Sequence, residues 1–226
     1  MKPRFVGRLG LADAVTVGNA MLGFVATFVA TVDVALAARI VLLAAIADGL
    51  DGVVARKRGG TPAGPYLDSL ADVASFGVAP AVLVASHATA AWSFEARPVV
   101  YALAVALPAV YVAMAVTRLG LYTAYDSDAA ETKGVPTTLA STILAAGVLA
   151  GFVGPAILVA LSGVLAVLMV TTVVYPDLHP QDALVMGIVQ ALAVVLRGQP
   201  GEVFAFAILF LALAYTTLAP RFYWDG

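Results

Sequence analysis

The stretch DGLDGVVARKRGGTPAGPYLDSLAD, residues 48–72, places four aspartates between long apolar runs: Asp48, Asp51, Asp68 and Asp72. The first two are spaced i,i+3 and the last two i,i+4, so each pair lies on one face of a helix. Like charges at a membrane boundary repel each other unless a cation joins them, and Mg²⁺ and Mn²⁺ prefer carboxylate oxygens. The stretch therefore predicts two membrane helices that carry a divalent metal site. The four aspartates are enough to bind two ions.

The composition indicates an integral membrane protein. Of 226 residues, 62% are apolar and 12% charged, and the mean hydropathy is +0.99. Soluble domains have about 45–50% apolar and about 25% charged residues. The absence of cysteine excludes disulfides and thiolate chemistry. The net charge of −2 argues against nucleic acid as a partner.

The apolar runs predict an all-α fold, a polytopic membrane helix bundle of about eight transmembrane helices. A spanning helix needs about 20 mainly apolar residues. By that measure the spans are 12–32, 34–55, 66–86, 98–122, 136–153, 155–175, 183–197 and 201–219. We expect residues 1–11 to be a cytoplasmic leader and 12–175 a catalytic core of six helices. Residues 176–226 are then additional C-terminal transmembrane helices.

The basic residues predict the orientation in the cell membrane. With eight spans, most of them share one side: Lys2, Arg4, Arg8, Arg56, Lys57, Arg58, Arg118, Lys133 and Arg221. Such an excess marks the cytoplasmic side. We expect a multi-pass protein whose aspartates face the cytoplasm.

The neighbours of the aspartates favour a pyrophosphate site. Gly52 and Ala55 are small enough for a ligand to approach the backbone, and Arg56 offers a bidentate contact to phosphate. The alternative of another class is an ion-coupled transporter, in which intramembrane acids bind ions or relay protons. A transporter predicts an inverted internal repeat, whereas these acids are confined to one pair of helices.

The pattern of these residues resembles the signature of the CDP-alcohol phosphotransferases. It reads Asp48-x-x-Asp51-Gly52-x-x-Ala55-Arg56, then Gly64-x-x-x-Asp68-x-x-x-Asp72. The family usually places eight residues between the Ala-Arg pair and the second glycine. Here there are seven, 57–63, which predicts a shortened connector with the site retained.

One branch of that family, the phosphatidylserine and archaetidylserine synthases, is similar over residues 12–145. The similarity is carried by LDSLADVASFGVAPA (67–81) and by TVGN (16–19). Two later segments match imperfectly, Arg118-Leu119 and Lys133-Gly134-Val135-Pro136. Gly120 and Leu121 stand where the branch has Ala and Arg.

The resemblance implies a role for each site residue. Asp48, Asp51, Asp68 and Asp72 would bind Mg²⁺ or Mn²⁺, two ions in all, and Asp72 would also be the general base. The nucleotide would contact Gly52, Ala55, Arg56, Gly64 and Asn19, although a helix-packing hydrogen bond is an equal alternative for Asn19. Arg118 and Lys133 would hold the carboxylate of the acceptor, although Lys133 also fits an ordinary positive-inside residue.

The reaction implied is transfer of a lipid phosphate group from a CDP-activated lipid to the hydroxyl of L-serine, with release of CMP. The lipid is CDP-archaeol or CDP-diacylglycerol, and the acidic, lysine-poor composition favours archaeol. Glycerol phosphate and inositol phosphate are the alternative acceptors. A phosphorylated acceptor would need a denser basic pocket than Arg118 and Lys133 provide, which favours serine. By the same resemblance we expect a homodimer.

Overall fold

The part of the chain that the structure describes forms a bundle of eight helical segments. It is a computed structural model that describes residues 6–126, 132–176 and 178–223, with only the backbone described at 51, 54–56 and 58. Two of the segments contain π-helical turns, Val73–Val78 and Tyr122–Asp126. The α-helices are α1 Leu11–Val29, α2 Val34–Arg58, α3 Gly64–Asp72, α4 Ala79–Ala91, α5 Pro98–Leu121, α6 Thr137–Leu149, α7 Pro155–Met169, α8 Pro180–Val195 and α9 Gly198–Phe222.

The helices confirm the predicted class, a helical membrane bundle. Within the described part of the chain, four segments are long and apolar enough to cross a membrane: Leu11–Val29, Gly64–Ala91, Pro98–Asp126 and Gly198–Phe222. The third segment consists of α3, the first π-helical turn and α4 in continuous succession. The predicted fifth, sixth and seventh spans are helices, but they have only 13, 15 and 16 residues, fewer than the roughly 20 that cross a bilayer unaided.

Helix α6 lies at the centre of the bundle. Eleven of its thirteen residues are buried, and it packs against α2, α7 and α9. The hydroxyls of Ser141 and Thr142 both donate to the carbonyl of Thr138. They therefore add no unsatisfied polar group to an interior without water.

A short strand pair connects the chain before α6 to the chain after α7. Strands β1 (Thr132–Lys133) and β2 (Val174–Tyr175) are antiparallel, and Thr132 lies opposite Tyr175. Gly134 follows β1 with φ of +72°, and its amide donates to Val173 at 2.8 Å. A Cβ at this position would lie 2.1 Å from the carbonyl oxygen of Met169. Only glycine fits this turn, which holds Lys133 in place.

Helix α8 is bonded to α2. The guanidinium of Arg39, in α2, donates to the carbonyls of Ala193, Val194 and Leu196 at the end of α8. The side chain of Gln190 donates to the carbonyl of Leu42 at 2.7 Å. Arg39 thus pairs with carbonyls that a helix end leaves without partners. Helix α8 is thereby joined to the helix that carries Asp48, and α9 packs against α8.

Candidate active site

Three of the four predicted aspartates meet in one cluster. Asp48 comes from the second half of α2, and Asp68 and Asp72 come from one face of α3. Each offers a carboxylate oxygen, and these oxygens lie within 4.8 Å of one another. Asp51 belongs to α2, but its side chain lies outside the described part of the chain. The i,i+4 spacing read from the sequence accounts for the direction that Asp68 and Asp72 share.

The cluster suits a divalent cation. Asp72 is 7% exposed, and its carboxylate lies within hydrogen-bonding contact of Asp48. Two carboxylates this close need a shared proton or a cation between them. The Oδ1 atom of Asp72 is buried without a hydrogen-bond partner among the described residues. Hard oxygen donors at this spacing match the coordination that Mg²⁺ and Mn²⁺ require.

A cavity of about 610 Å³ opens beside the cluster. Asp48 and Asp68 line one part of it, and the remaining wall is rich in glycine: Gly49, Gly52, Gly60 and Gly64. Side chains are absent at these positions, so a ligand can reach the backbone there. A volume in this range fits a ligand as large as a nucleotide. The cavity brings Gly52 and Gly64 together with the aspartates.

A buried carboxylate fixes the connector between α2 and α3. Asp13, at the start of α1, is 2% exposed. Its Oδ2 accepts from the amide of Gly10 at 2.6 Å and from the hydroxyl of Thr61 at 2.9 Å. Its Oδ1 lies 3.4 Å from where a Cβ on Gly64 would be. The short connector is therefore bonded to α1, and Asp13 and Thr61 both line the cavity.

Sequence reasoning missed Asp13 and Thr61. A signal was present, because an acidic side chain in the first turn of an apolar helix forms favourable contacts with the free amides there. Gly10 has no side chain, so only one half of a capping box forms, in which the carboxylate accepts from the Gly10 amide. The bond to Thr61 lies 48 positions further on, and no local pattern indicates it.

Arg118 lies close to the cluster. It is 9% exposed, in the last turn of α5, and its guanidinium interacts electrostatically with Asp72. Its Nε is buried without a hydrogen-bond partner in the part of the chain that is described. Ser69, between the two aspartates of α3, bonds Thr123 just beyond α5. This bond holds the end of α5 beside α3.

Lys133, unlike the buried Arg118, lies on the surface of the protein. Its side chain is 54% exposed and forms an ion pair with Asp126 at 3.2 Å. An exposed pair of this kind contributes roughly 0–1 kcal/mol.

Asn19 is fully buried in α1, and neither atom of its side-chain amide has a partner among the described residues. Its carbonyl accepts from the hydroxyl of Ser75 at 2.8 Å. Asn19 is not among the described residues that line the cavity. Ala55 and Arg56 lie in α2, and their side chains are outside the described part of the chain.

The fold and this site define an integral membrane protein with an acidic centre beside a glycine-lined cavity. The chain belongs to the CDP-alcohol phosphatidyltransferase family, whose model matches residues 9–175. It is also similar to archaetidylserine synthase of Methanothermobacter thermautotrophicus, with 29% identity over 180 residues, which cover 77% of this chain and 73% of that protein. The resemblance read from residues 48–72 is confirmed, and the protein is a transferase of phospholipid biosynthesis that acts on a CDP-activated lipid and an alcohol.

Proposed function

We propose that the protein transfers the lipid phosphate group of CDP-archaeol to the hydroxyl of L-serine and releases CMP. CDP-diacylglycerol is the alternative lipid donor. The buried carboxylate of Asp72 carries the proposal, because it belongs to the aspartate cluster and has an oxygen without a partner among the residues that the structure describes. The name of the similar archaeal synthase supports both the lipid and the acceptor. Family membership favours this transfer over ion-coupled transport.

Asp72 is proposed to move the proton. One of its oxygens contacts the cluster, and Oδ1 is left to accept the proton of the serine hydroxyl. The serine oxygen then forms a bond to the phosphorus that bears the lipid. The bond between that phosphorus and the oxygen bridging to CMP breaks, and CMP leaves with the electron pair. Burial of Asp72 keeps competing water away from this step.

Four aspartates are proposed to hold two divalent ions: Asp48, Asp51, Asp68 and Asp72. When bound, Mg²⁺ or Mn²⁺ supplies positive charge that neutralises the diphosphate and the departing CMP. The nucleotide part of the substrate is proposed to contact Gly52, Ala55, Arg56, Gly64 and Asn19. The glycines of this set line the cavity.

The acceptor is proposed to bind through its carboxylate. Arg118 is suited to this, because its guanidinium is buried near Asp72 with Nε unpaired in the described residues. Lys133 would have to leave its surface ion pair with Asp126 to assist.

Residues 12–175 form the proposed catalytic core, 1–11 the leader and 176–226 the additional helices. The proposed assembly is a homodimer in the cell membrane with the site facing the cytoplasm, as the basic residues indicate.

The test is CMP release from purified protein in detergent. CDP-archaeol and CDP-diacylglycerol are each combined with serine, glycerol 3-phosphate or inositol phosphate, with Mg²⁺, with Mn²⁺ or with a chelator. Asp72→Asn should lower kcat with serine by about 10²–10⁴-fold, the usual contribution of a general base. Asp33→Asn is the matched control, because the exposed Asp33 accepts from the Leu36 amide at the start of α2 and is not among the described residues of the aspartate cluster or the cavity.

Each outcome bears on a separate part of the proposal. Chelator-sensitive release with serine supports the reaction and identifies the lipid. Release only with a phosphorylated acceptor overturns serine, and unchanged kcat in Asp72→Asn overturns the base. Absence of release with every pair, in folded protein, overturns the proposed transfer.

A further inference from the structure

The helix that carries Asp68 and Asp72 changes its winding directly after Asp72. Residues Val73–Val78 form a π-helical turn, and α4 continues from Ala79. Pro80 explains the change, because proline has no amide to donate to the carbonyl four residues earlier and its ring crowds that carbonyl. The carbonyl concerned is that of Phe76. A π-helical turn relieves this crowding by adding a residue to the turn.

Two hydrogen bonds join this π-helical turn to the neighbouring helices α5 and α1. The hydroxyl of Tyr111, in α5, donates to the carbonyl of Phe76 at 2.9 Å, and both residues are fully buried. On the other side, the hydroxyl of Ser75 donates to the carbonyl of Asn19 in α1. In a membrane interior, a carbonyl left without a donor is costly. Tyr111 therefore supplies the donor that Pro80 lacks.

The Tyr111 bond also lies next to the reacting groups. Phe76 follows Asp72 by four positions, and Tyr111 precedes Arg118 by seven, which is two helical turns on the same face. Ser69 and Thr123 bond on the opposite side of the pair formed by Asp72 and Arg118. The acid and the guanidinium thus lie between two interhelical hydrogen bonds, one on each side.

We propose that Tyr111 is a positioning residue, which holds the π-helical turn against α5 and so fixes Asp72 relative to Arg118. Tyr111 itself touches neither the aspartate cluster nor the cavity among the described residues. The inference rests on the proposed function only in giving Asp72 and Arg118 roles in the transfer. Without the Tyr111 hydroxyl, the π-helical turn keeps its bond to α1 through Ser75 but loses its bond to α5. The bond between Ser69 and Thr123 then holds Asp72 and Arg118 together from one side only.

The first test is steady-state kinetics of Tyr111→Phe, which removes one oxygen and keeps the ring. Tyr101→Phe is the matched control, because Tyr101 lies on the same helix, is only partly buried and packs edge-on against Phe94. A displacement of about 1 Å at a reacting group can cost about a hundredfold in rate. We expect kcat of Tyr111→Phe to fall at least about tenfold, with KM for the CDP-lipid within about twofold. A kcat equal to that of Tyr101→Phe overturns the proposal, and so does a fall that follows only from a loss of folded protein.

The second test does not depend on activity. Hydrogen–deuterium exchange, followed by mass spectrometry in detergent, reports opening of the backbone. In Tyr111→Phe, the peptide covering residues 73–81 should exchange about tenfold faster than in Tyr101→Phe, while a peptide from α6 is unchanged. Equal exchange of the 73–81 peptide overturns the positioning role. If the wild-type protein released no CMP, the proposed function would fail, and this exchange measurement would still decide on Tyr111.

Discussion

Helix α1 approaches the π-helical turn so closely at Gly23 that a single added methyl group should be harmful. A Cβ built on Gly23 would lie 2.7 Å from both the amide nitrogen and the hydroxyl oxygen of Ser75, and 2.8 Å from the carbonyl carbon of Ala74. Ordinary contact begins at 3.4 Å. The side chain of Gly23→Ala therefore requires a displacement of about 0.7 Å, and two of the three atoms are backbone that cannot rotate away.

The size of the effect follows from two opposing terms. Overpacking of a well-packed interior costs about 1–3 kcal/mol, and backbone atoms place this site in the upper half of that range. Replacing glycine by alanine within a helix returns about 1 kcal/mol. We expect Gly23→Ala to lower the free energy of unfolding by about 1–2 kcal/mol, which corresponds to roughly 2–8 °C in the thermal midpoint for a chain of this size.

The same substitution at Gly18 is the matched control. Gly18 lies in the same helix, and a Cβ there would meet nothing within 4 Å. Gly18→Ala should raise the free energy of unfolding by about 0.5–1 kcal/mol, so the two variants shift stability in opposite directions. Thermal unfolding in detergent measures both, and CMP release measures the consequence for the residues next to Asp72.

We expect Gly23→Ala to lose at least about nine-tenths of kcat, because α1 is pushed away from the segment that follows Asp72. Gly18→Ala should keep wild-type kcat. If the two variants shifted the thermal midpoint in the same direction and by the same amount, the close contact between α1 and the π-helical turn would be refuted.

Two further pairs of substitutions test the loops around the site. Gly134→Ala combines a positive φ with a Cβ 2.1 Å from a carbonyl oxygen, and should lower the free energy of unfolding by about 3 kcal/mol or more. Gly151 also has a positive φ, +75°, but a Cβ there would meet open space. Gly151→Ala should therefore lower the free energy of unfolding by only about 1–2 kcal/mol. Equal thermal midpoints for these two variants would contradict the contact at Gly134. Asp13→Ala removes the acceptor of two hydrogen bonds and should raise KM for the CDP-lipid about tenfold by releasing the connector, a loss of about 1.4 kcal/mol. Thr61→Val should act in the same direction with a smaller effect, and an unchanged KM in Asp13→Ala would show that the connector does not depend on this bond.

Local spacing predicted the features of this protein that depend on residues close in sequence. The helical repeat was enough to place Asp68 and Asp72 on one face, and apolar length was enough to find eight helices. A connector between the two aspartate-bearing helices was also predicted, and the structure has one between the end of α2 at Arg58 and the start of α3 at Gly64. The meeting of Asp48 with the two aspartates of α3 was also expected, because like charges at a membrane boundary repel each other unless a cation joins them.

The features that sequence reasoning missed depend on partners far away in the chain. Pro80 offered a signal of a disturbed helix that sequence reasoning did not use, and nothing local shows that the donor for the Phe76 carbonyl is Tyr111. The pairing of Thr132 with Tyr175 joins strands of two residues each, which are too short to show an alternating pattern. Arg39 stands alone in an apolar run of the sequence, and sequence reasoning assigned it no partner. Its partners are backbone carbonyls at the end of α8, which the identity of the side chains does not reveal.

The bonds of Arg39 bear on where this chain can be divided. The match to the family ends at residue 175, which invites truncation there to obtain a minimal enzyme. Such a cut would remove the carbonyls that receive the guanidinium of Arg39 and would leave a charge facing lipid, in the same helix that presents Asp48. We therefore expect that the part matched by the family model does not fold independently of α8. Fusions and deletions in this chain should preserve the C-terminal pair of helices even when the chemistry alone is wanted.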